Sequence, residues 1–248
     1  MNPLDTARWS TSDSRQQDPC VGCASKRFGI CLPLDAQALD DLSGDSDRHA
    51  LPAKSVLFRE GDPATRAFSL LEGTVKLSRL LPDGRQQVVG FRFKGDLLGY
   101  TAGKTYPFDA ELLTPGQFCR IERSRLDALL RRYPALERRV LDMCLGELAA
   151  TQEHLVTVAR RSAEARVAAF LIGLAEAHRR RGLLTGDLPM PMTRSDIGDF
   201  LGLTLETVSR TFTAFKRHGW IAEPGGQKLR LLDMDALEQL CAGEYERL

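Results

Sequence analysis

Three cysteines near the N-terminus are the residues of this 248-residue chain whose type and spacing most clearly predict chemistry. Two residues separate Cys20 from Cys23, and seven more separate Cys23 from Cys31. The segment lies outside any strongly periodic apolar pattern, and a fourth thiol is available at Cys119. Four thiolates suit an iron–sulfur cluster or a structural zinc ion, and the spacing does not separate these two. A dithiol redox switch between Cys20 and Cys23 is a further interpretation.

The composition favours metal binding over structural disulfides for these thiols. Hydrophobic residues make up 43% of the chain and charged residues 27%, which is ordinary for a globular protein. The first residues carry Asp5, Arg8, Asp13 and Arg15 without the apolar run of a signal peptide, and no segment has the length of a membrane span. We therefore expect a reducing cytoplasm, where clustered cysteines more often bind metals. The net charge of +1 means that any nucleic-acid-binding surface must be local.

The elements that must position the thiols follow from the apolar pattern. Residues 34–48 are expected to form a short helix, and short apolar runs separated by Gly and Asp turns follow from about Leu51 to Arg123. Such spacing predicts a compact antiparallel barrel or roll. The predicted segments are an N-terminal arm with the cysteines (1–33), a β-roll sensor domain (34–133), a dimerisation helix (134–161) and a winged helix-turn-helix domain (162–248).

A long helix is predicted to begin at Pro134. Two apolar series with a seven-residue period run along it, three positions apart: Leu141, Leu148 and Leu155, then Cys144, Thr151 and Val158. This spacing is typical of a coiled-coil seam, and it favours a dimer interface over a helix that packs only on its own domain. Cys144 and Cys241 lie among apolar neighbours and are expected to be buried thiols.

Two short helices after Met192 predict a DNA-binding motif. Thr193 is placed to cap the first helix, with Asp196 as its capping-box partner, and Gly202 is placed to end it. Thr204 is placed to cap a second helix from Leu205 to about His218. A tight glycine-containing turn between two such helices is typical of a helix-turn-helix, and residues 224–228 predict the hairpin of a β-wing.

The second helix has the side chains of a recognition helix. Glu206, Ser209 and Arg210 share one face near its N-terminus. Glu206 can accept a hydrogen bond from cytosine, Arg210 can donate to guanine, and Ser209 can bond to either base. Residues expected at or near the DNA phosphates are Thr204, Thr207, Thr211, Lys216 and Arg217. The alternative is a Glu–Arg pair on a solvated helix face. The cap, the turn and the wing favour DNA binding.

With this order of elements, the chain resembles the CRP/FNR family of bacterial transcription regulators over nearly its full length. The Glu206-Thr207-Val208-Ser209-Arg210 string is similar to the family's E-x-x-S-R motif, and the N-terminal cysteines resemble the FNR branch of oxygen sensors. The resemblance implies an α+β fold with an N-terminal double-stranded β-helix (a β-roll of the cyclic-nucleotide-binding type), a long dimerisation helix and a C-terminal winged helix-turn-helix.

The resemblance also implies the function. A homodimer would bind a palindrome with TTGAT-type half-sites and activate or repress anaerobic or microaerobic genes through contact with RNA polymerase. Oxygen would break down an oxygen-labile [4Fe–4S] cluster and release the DNA. The cluster ligands would be Cys20, Cys23, Cys31 and Cys119.

Two positions depart from an enteric member of the branch. The gap between Cys23 and Cys31 is longer, which bears on cluster stability. Thr151 stands where that member has an acidic residue whose charge opposes dimerisation without a cluster.

Three other functions are weighed. Cyclic-nucleotide binding is disfavoured because no Arg-Ser or Arg-Thr pair follows the turn at Gly95, while Asp109 and Glu111 are acidic. Haem binding rests only on four scattered histidines. An iron–sulfur enzyme or electron carrier would not need the recognition helix, and no paired acid–base group stands out, so no enzymatic activity is expected.

Overall fold

A computed structural model describes residue 20 and residues 23–44, 46–183 and 186–243. The N-terminal half of the predicted arm, residues 1–19, lies outside the described residues. Two compact units are present. The first unit extends to residue 80 and includes residues 89–144, and the second includes residues 81–88 and continues from residue 145. No helix within the described ranges is long and apolar enough to cross a membrane.

The first unit is the expected β-roll with helices beside it. Its helices are α1 (Ala36–Gly44), α2 (Arg123–Arg132) and the start of α3 (Pro134–Arg160). Its strands are β1 (Ser46–Leu51), β2 (Val56–Phe58), β3 (Arg66–Glu72), β4 (Val75–Leu80), β5 (Gln86–Arg92), β6 (Leu97–Leu98), β7 (Asp109–Leu112) and β8 (Gly116–Glu122). They form two four-stranded sheets of order β1-β8-β3-β6 and β2-β7-β4-β5.

Strand alternation gives the first sheet two different apolar faces. On β8, Phe118 belongs to the cluster inside the roll, whereas Ile121 belongs to a second cluster shared with α1, α2 and the start of α3. Successive residues of a strand point to opposite faces, so Cys119 lies on the same face as Ile121. We call this second set the outer cluster. It consists of Ile30, Leu34, Ala38, Leu39, Leu42, Ala67, Ile121, Leu126, Leu129, Leu130, Leu136 and Val140.

Two elements of the roll differ from the sequence-based expectation. The predicted helix over 34–48 ends at Gly44, and its last residues belong to β1 instead. This strand is polar, and it forms because its whole length pairs with β8, from Ser46 opposite Ile121 to Leu51 opposite Gly116. Helix α2 was not anticipated, although Leu126, Leu129 and Leu130 have helical spacing and are buried.

The second unit is the expected helix-turn-helix with a wing. Its helices after α3 are α4 (Ala163–Arg180), α5 (Arg194–Leu201), α6 (Leu205–Arg217) and α7 (Met234–Ala242). Its strands are β9 (Leu188–Pro189), β10 (Ile221–Gly225) and β11 (Lys228–Leu231), in the order β10-β11-β9. The predicted α+β fold and its wing are therefore confirmed.

Candidate metal centre and DNA-binding helices

The four cysteines singled out in the sequence lie around one pocket of the first unit. Cys20, Cys23 and Cys31 reach it from the N-terminal segment, and Cys119 reaches it from β8. No disulfide bond joins the cysteines in the part of the chain that the structure describes, and Cys144 and Cys241 do not line this pocket. The apolar part of the pocket wall is formed by Ile30, Leu39, Leu42, Leu71 and Ile121. Thiols that are 88 residues apart in sequence (119 − 31) therefore share one apolar site.

The chain between Cys23 and Cys31, which we call the cysteine segment, comes very close to the backbone of the roll at Gly95. Gly95 has φ +93°, and a Cβ built on it would lie 2.9 Å from Cβ of Phe28 and 3.3 Å from the amide nitrogen of Gly29. A side chain at Gly95 would therefore collide with the segment between Cys23 and Cys31. Below the segment, Cys20 and Cys31 pack on the outer cluster. Glycine at position 95 allows the cysteine segment to approach the roll, and packing on the outer cluster holds the thiols against β8.

Burial and mutual proximity make two of the thiols harder to deprotonate than an ordinary cysteine. Desolvation by burial, with smaller contributions from Cys20, Cys119 and Cys23 in that order, raises the pKa of Cys31 to about 12. Burial likewise raises the pKa of Cys119 to about 12, with Cys23 adding to the effect. Thiolates bind metals and thiols do not, so loading this site must release protons.

Two cations partly offset this penalty. Lys26 lines the pocket, and its charge acts to lower the pKa of Cys31. Arg48 lies directly opposite Cys119 in the β1–β8 ladder and hydrogen-bonds to its thiol, which acts to lower the pKa of Cys119. The positive charges face a site whose ligands become negative when they bind metal.

The chemistry of the donor set fits an iron–sulfur cluster. Four cysteines line one apolar pocket, and four thiolates are the ligands that such a cluster takes. The same donors also suit a structural zinc ion. Within residues 20, 23–44, 46–183 and 186–243, no three His, Cys, Asp or Glu side chains are arranged to hold one metal ion.

In the second unit, the helix-turn-helix has the caps that the sequence predicted. Thr193 Oγ1 accepts from the amide of Asp196 at 3.0 Å, and Asp196 Oδ2 accepts from the amide of Thr193 at 2.9 Å. Gly202 ends α5 with φ 66°, in the left-handed region. Thr204 Oγ1 accepts from the amide of Thr207 at 3.1 Å and caps α6. A Cβ on Gly198 would lie 2.6 Å from the carbonyl oxygen of Leu203, so glycine is needed for the tight turn.

The proposed base-reading side chains of α6 are largely accessible. Glu206 and Arg210 are 78% and 73% exposed, and their charged groups are 3.8 Å apart. Ser209 is half-buried between them, while Val208, Phe212 and Phe215 anchor the opposite face in the core. The Glu–Arg pair considered as the alternative does exist, but an exposed pair of this kind contributes little stability and leaves both groups available to a ligand.

One predicted phosphate contact on α6 was wrong, and another is engaged elsewhere. Thr211 is buried and its hydroxyl donates to the carbonyl of Thr207 at 3.0 Å, so it faces its own helix. Lys216 Nζ pairs with Glu223 of the wing at 2.7 Å. Arg194 also pairs with Glu223 and lies over the ring of Phe212, 3.4 Å from its centroid. Thr204 and Arg217 are exposed, and Thr207 is half-buried.

One residue of α6 was missed in the sequence. Leu205, the first residue of the helix, is exposed. Apolar side chains at this place contact thymine methyl groups in major-groove recognition. The sequence does contain a signal for this residue. It is apolar, it directly follows the N-cap, and it lies off the buried face formed by Val208, Phe212 and Phe215.

Helix α3 carries an exposed apolar stripe that follows the predicted seam in part. Leu141, Leu148 and Leu155 are all about half exposed or more, and Cys144 and Thr151 are exposed with them. The expectation that Cys144 is buried was therefore wrong for the single chain. Val158 also departs from the prediction, because it is half-buried with its Cγ1 near Gly202. Leu145 is exposed beside the stripe and was not predicted.

Cys241 was expected to be a buried thiol, but it is only half-buried and lies near the charged Arg161. Its thiol lies 3.6 Å from the carbonyl oxygen of Ala165.

Comparison with known proteins gives a consistent result for both units. A model for a cyclic nucleotide-binding domain matches residues 48–133, and one for a Crp-like helix-turn-helix domain matches residues 165–240. The nitrogen fixation regulation protein FixK of Bradyrhizobium diazoefficiens is 38% identical over 223 residues, which cover 90% of this chain and 94% of FixK. The fumarate and nitrate reduction regulatory protein of Escherichia coli K12 is 31% identical over 224 residues, 89% of each chain.

A solved structure agrees with the fold. FixK2 from Bradyrhizobium japonicum superposes with a TM-score of 0.72 at 29% identity, covering 82% of this chain and 99% of FixK2. The relatives that match along most of the chain are regulators, not enzymes.

Proposed function

This chain belongs to the CRP/FNR family of transcription regulators, and we propose that it is an oxygen-responsive member whose signal is an iron–sulfur cluster. It is a DNA-binding regulator. The proposed cluster is of the [4Fe–4S] type, and the residues that would hold it are Cys20, Cys23, Cys31 and Cys119. Such a cluster supplies oxygen-labile iron and sulfide at the site.

One observation carries the proposal: four cysteines from two distant parts of the chain line a single apolar pocket. The apolar wall limits water at the thiols, which slows loss of a bound group. Lys26 and Arg48 supply positive charge where four thiolates would concentrate negative charge. Among the described residues that line the pocket, the charged one is Lys26, which is positive. A relative from Pasteurella multocida that is 32% identical over 224 residues is named an anaerobic regulatory protein, which supports a signal related to oxygen.

The signal must pass from the thiols to α3. Leu136 and Val140 of α3 are buried in the outer cluster on which Cys20 and Cys31 also pack. Thiolates tied together would fix the cysteine segment against this cluster and order the start of α3. The exposed stripe from Leu141 onward then pairs with that of a second copy, because an apolar stripe of this length costs free energy while it faces water.

Pairing of α3 sets the DNA target. Two copies of α6 would lie about one DNA turn apart, roughly 34 Å, and would read a palindrome with TTGAT-type half-sites. Arg210 would donate to guanine, Glu206 would accept from the cytosine amine and Leu205 would contact a thymine methyl. Arg217, Thr204 and Thr207 would bind phosphates.

The bound dimer would act in the cytoplasm as an activator or repressor through RNA polymerase. The candidate contacts are two turns, at residues 72–74 and 82–85; in the first, Glu72 is exposed but Thr74 is buried, whereas the second is exposed throughout. In the second of these, Asp83 and Arg85 pair with each other at the tip of the β4–β5 hairpin.

A matched pair of cysteine variants tests the proposal. Cys23→Ala removes one thiol from the pocket and should abolish both bound iron and high-affinity operator binding in oxygen-free buffer. Cys241→Ala removes a thiol that does not line the pocket and should retain both. Wild-type operator affinity in the Cys23→Ala protein would rule out sensing through this site. Zinc in place of iron in the wild-type protein would assign the thiols to a structural zinc site.

A further inference from the structure

Arg139 of α3 binds the backbone of the cysteine segment. Its Nε donates to the carbonyl oxygen of Gly29 at 3.1 Å, and its Nη2 donates to the carbonyl oxygen of Phe28. Both carbonyls lie between Cys23 and Cys31. A guanidinium with two N–H donors on adjacent acceptors fixes geometry more firmly than one neutral hydrogen bond. One α3 side chain therefore holds the stretch of chain that lies between two of the four thiols.

Arg139 lies where α3 passes from its buried residues to its exposed apolar stripe. Leu136 and Val140, on either side of it in sequence, are buried in the outer cluster. Leu141, two residues further on, begins the exposed apolar stripe. The same helical turn therefore contacts the cysteine segment with one side chain and presents the first residue of the stripe with another. The segment also lies close to Gly95, where a Cβ would collide with Phe28.

We propose that Arg139 is the positioning residue through which the state of the cysteine segment controls pairing of α3. The proposal rests on the function proposed above for the identity of the group that the thiols bind. Four thiolates tied to one group hold the carbonyls of Phe28 and Gly29 in place, so the guanidinium has two fixed acceptors and the start of α3 is ordered. When the thiolates are released, the segment is free to move and the start of α3 is no longer ordered. Pairing must then also order the start of α3, and this free-energy cost weakens the dimer.

The test compares dimer dissociation constants for cluster-loaded and cluster-free protein, measured by sedimentation in oxygen-free buffer. The ratio of the two constants reports the coupling. Arg139→Gln should load iron as the wild type does. Its ratio of dissociation constants should be about tenfold smaller than that of the wild type, because charge-assisted hydrogen bonds typically contribute this much. Arg139→Lys, which keeps the charge but not the fork, should give an intermediate ratio.

The matched control lies one residue away. Arg138 is exposed and pairs with Asp142 of its own helix at 3.1 Å, so Arg138→Gln removes an arginine from α3 without touching the segment. Its ratio should equal that of the wild type. A general loss of stability would weaken the dimer in both states and leave the ratio unchanged, so the ratio isolates coupling.

The outcomes are distinguishable. A wild-type ratio in loaded Arg139→Gln protein, or an equal loss in Arg138→Gln, would overturn the role of Arg139 while leaving the cluster proposal intact. If Arg139→Gln does not load iron, loaded Arg139→Lys decides by the same ratio, and a wild-type value overturns the role. Wild-type protein that binds no iron would instead overturn the function on which the proposal rests.

Discussion

Arg48 and Cys119 face each other directly across the antiparallel β1–β8 ladder, and the guanidinium of Arg48 hydrogen-bonds to the Cys119 thiol. A residue of the edge strand thus places a permanent positive charge beside the one pocket thiol that the roll supplies. Because burial raises the pKa of this thiol to about 12, the cation favours the thiolate where the environment disfavours it.

Removing this cation should weaken metal retention at the site. We expect Arg48→Gln to hold less iron than the wild type after oxygen-free reconstitution, and the difference should grow as the pH falls from 8 to 6.5, because protons compete with metal for the thiolates. The control is Arg120→Gln, since Arg120 is on the same strand pair but binds Asp47 at 3.0 Å. Equal iron content in both variants at every pH would contradict the role of Arg48.

The close approach at Gly95 gives a second prediction. Gly95→Ala should displace Phe28 and Gly29 from the roll and accelerate loss of the bound cluster, measured as the decay of visible absorbance in oxygen-free chelator. Gly84→Ala is the matched control, because Gly84 has a similar φ of +82° but a Cβ there meets nothing within 4 Å. Backbone strain is common to both variants, so a similar decay rate would show that contact with the cysteine segment is not the cause.

Replacing Arg210 should affect base recognition and leave the metal site unchanged. We expect Arg210→Ala to lose about 1–3 kcal/mol of operator binding, with the discrimination lost at one base pair of each half-site. Thr213→Ala is a suitable control, since Thr213 is exposed on the same helix and its hydroxyl donates to the carbonyl of Ser209 at 3.0 Å. A uniform loss across all half-site sequences would indicate that Arg210 binds only phosphate.

The exposed stripe of α3 makes the charge at position 151 decisive for dimerisation. Thr151 is exposed, and its hydroxyl donates to the carbonyl of Glu147 at 2.8 Å, so no like charge opposes pairing there. Thr151→Asp should weaken the cluster-free dimer about tenfold, because two carboxylates would meet across the seam. Sedimentation over a concentration series measures this. A wild-type protein that is wholly monomeric at micromolar concentration without its cluster would contradict the expectation.

The fold could be read from the sequence wherever local signals and tertiary packing agree. The caps at Thr193 and Thr204 and the left-handed Gly202 were predictable, because each is fixed by residues within one helical turn. Strand β1 was not, because its polar residues form a strand only through pairing with β8, which lies about 70 residues further along the chain. Burial of Thr211 was missed for a related reason: its hydroxyl is satisfied by its own helix.

The cysteine site could likewise be predicted from the sequence only in part. Spacing singled out Cys20, Cys23 and Cys31, because clustered cysteines are distinctive, whereas the resemblance to the FNR branch implied Cys119 as the fourth ligand. The contacts of Arg48, Gly95 and Arg139 with that site could not be proposed, because arginine and glycine are common and only the folded chain brings them to the thiols.

Acid should destabilise the folded protein through its buried histidines. Burial lowers the pKa of His178 below its ordinary value, and the neutral ring donates from Nδ1 to the carbonyl of Leu174 at 2.9 Å. Below pH 6.5 the unfolded chain takes up a proton that the folded chain resists, so the free energy of unfolding should fall between pH 7 and pH 5. The pKa values of His49 and His154 are lowered for the same reason and act in the same direction.

Urea titrations at several pH values check this. His178→Gln should reduce the dependence between pH 7 and pH 5, and the remainder should come from His49 and His154. An unchanged slope in His178→Gln would show that this histidine does not carry the effect.

The most direct test of the central claim is metal analysis with visible absorbance on protein purified without oxygen, repeated after admission of air. We expect a coloured protein with broad visible absorbance and about four irons per chain. Air should bleach that absorbance and abolish operator binding in the same sample. A colourless protein that contains zinc, or one whose operator binding survives bleaching, would contradict the claim.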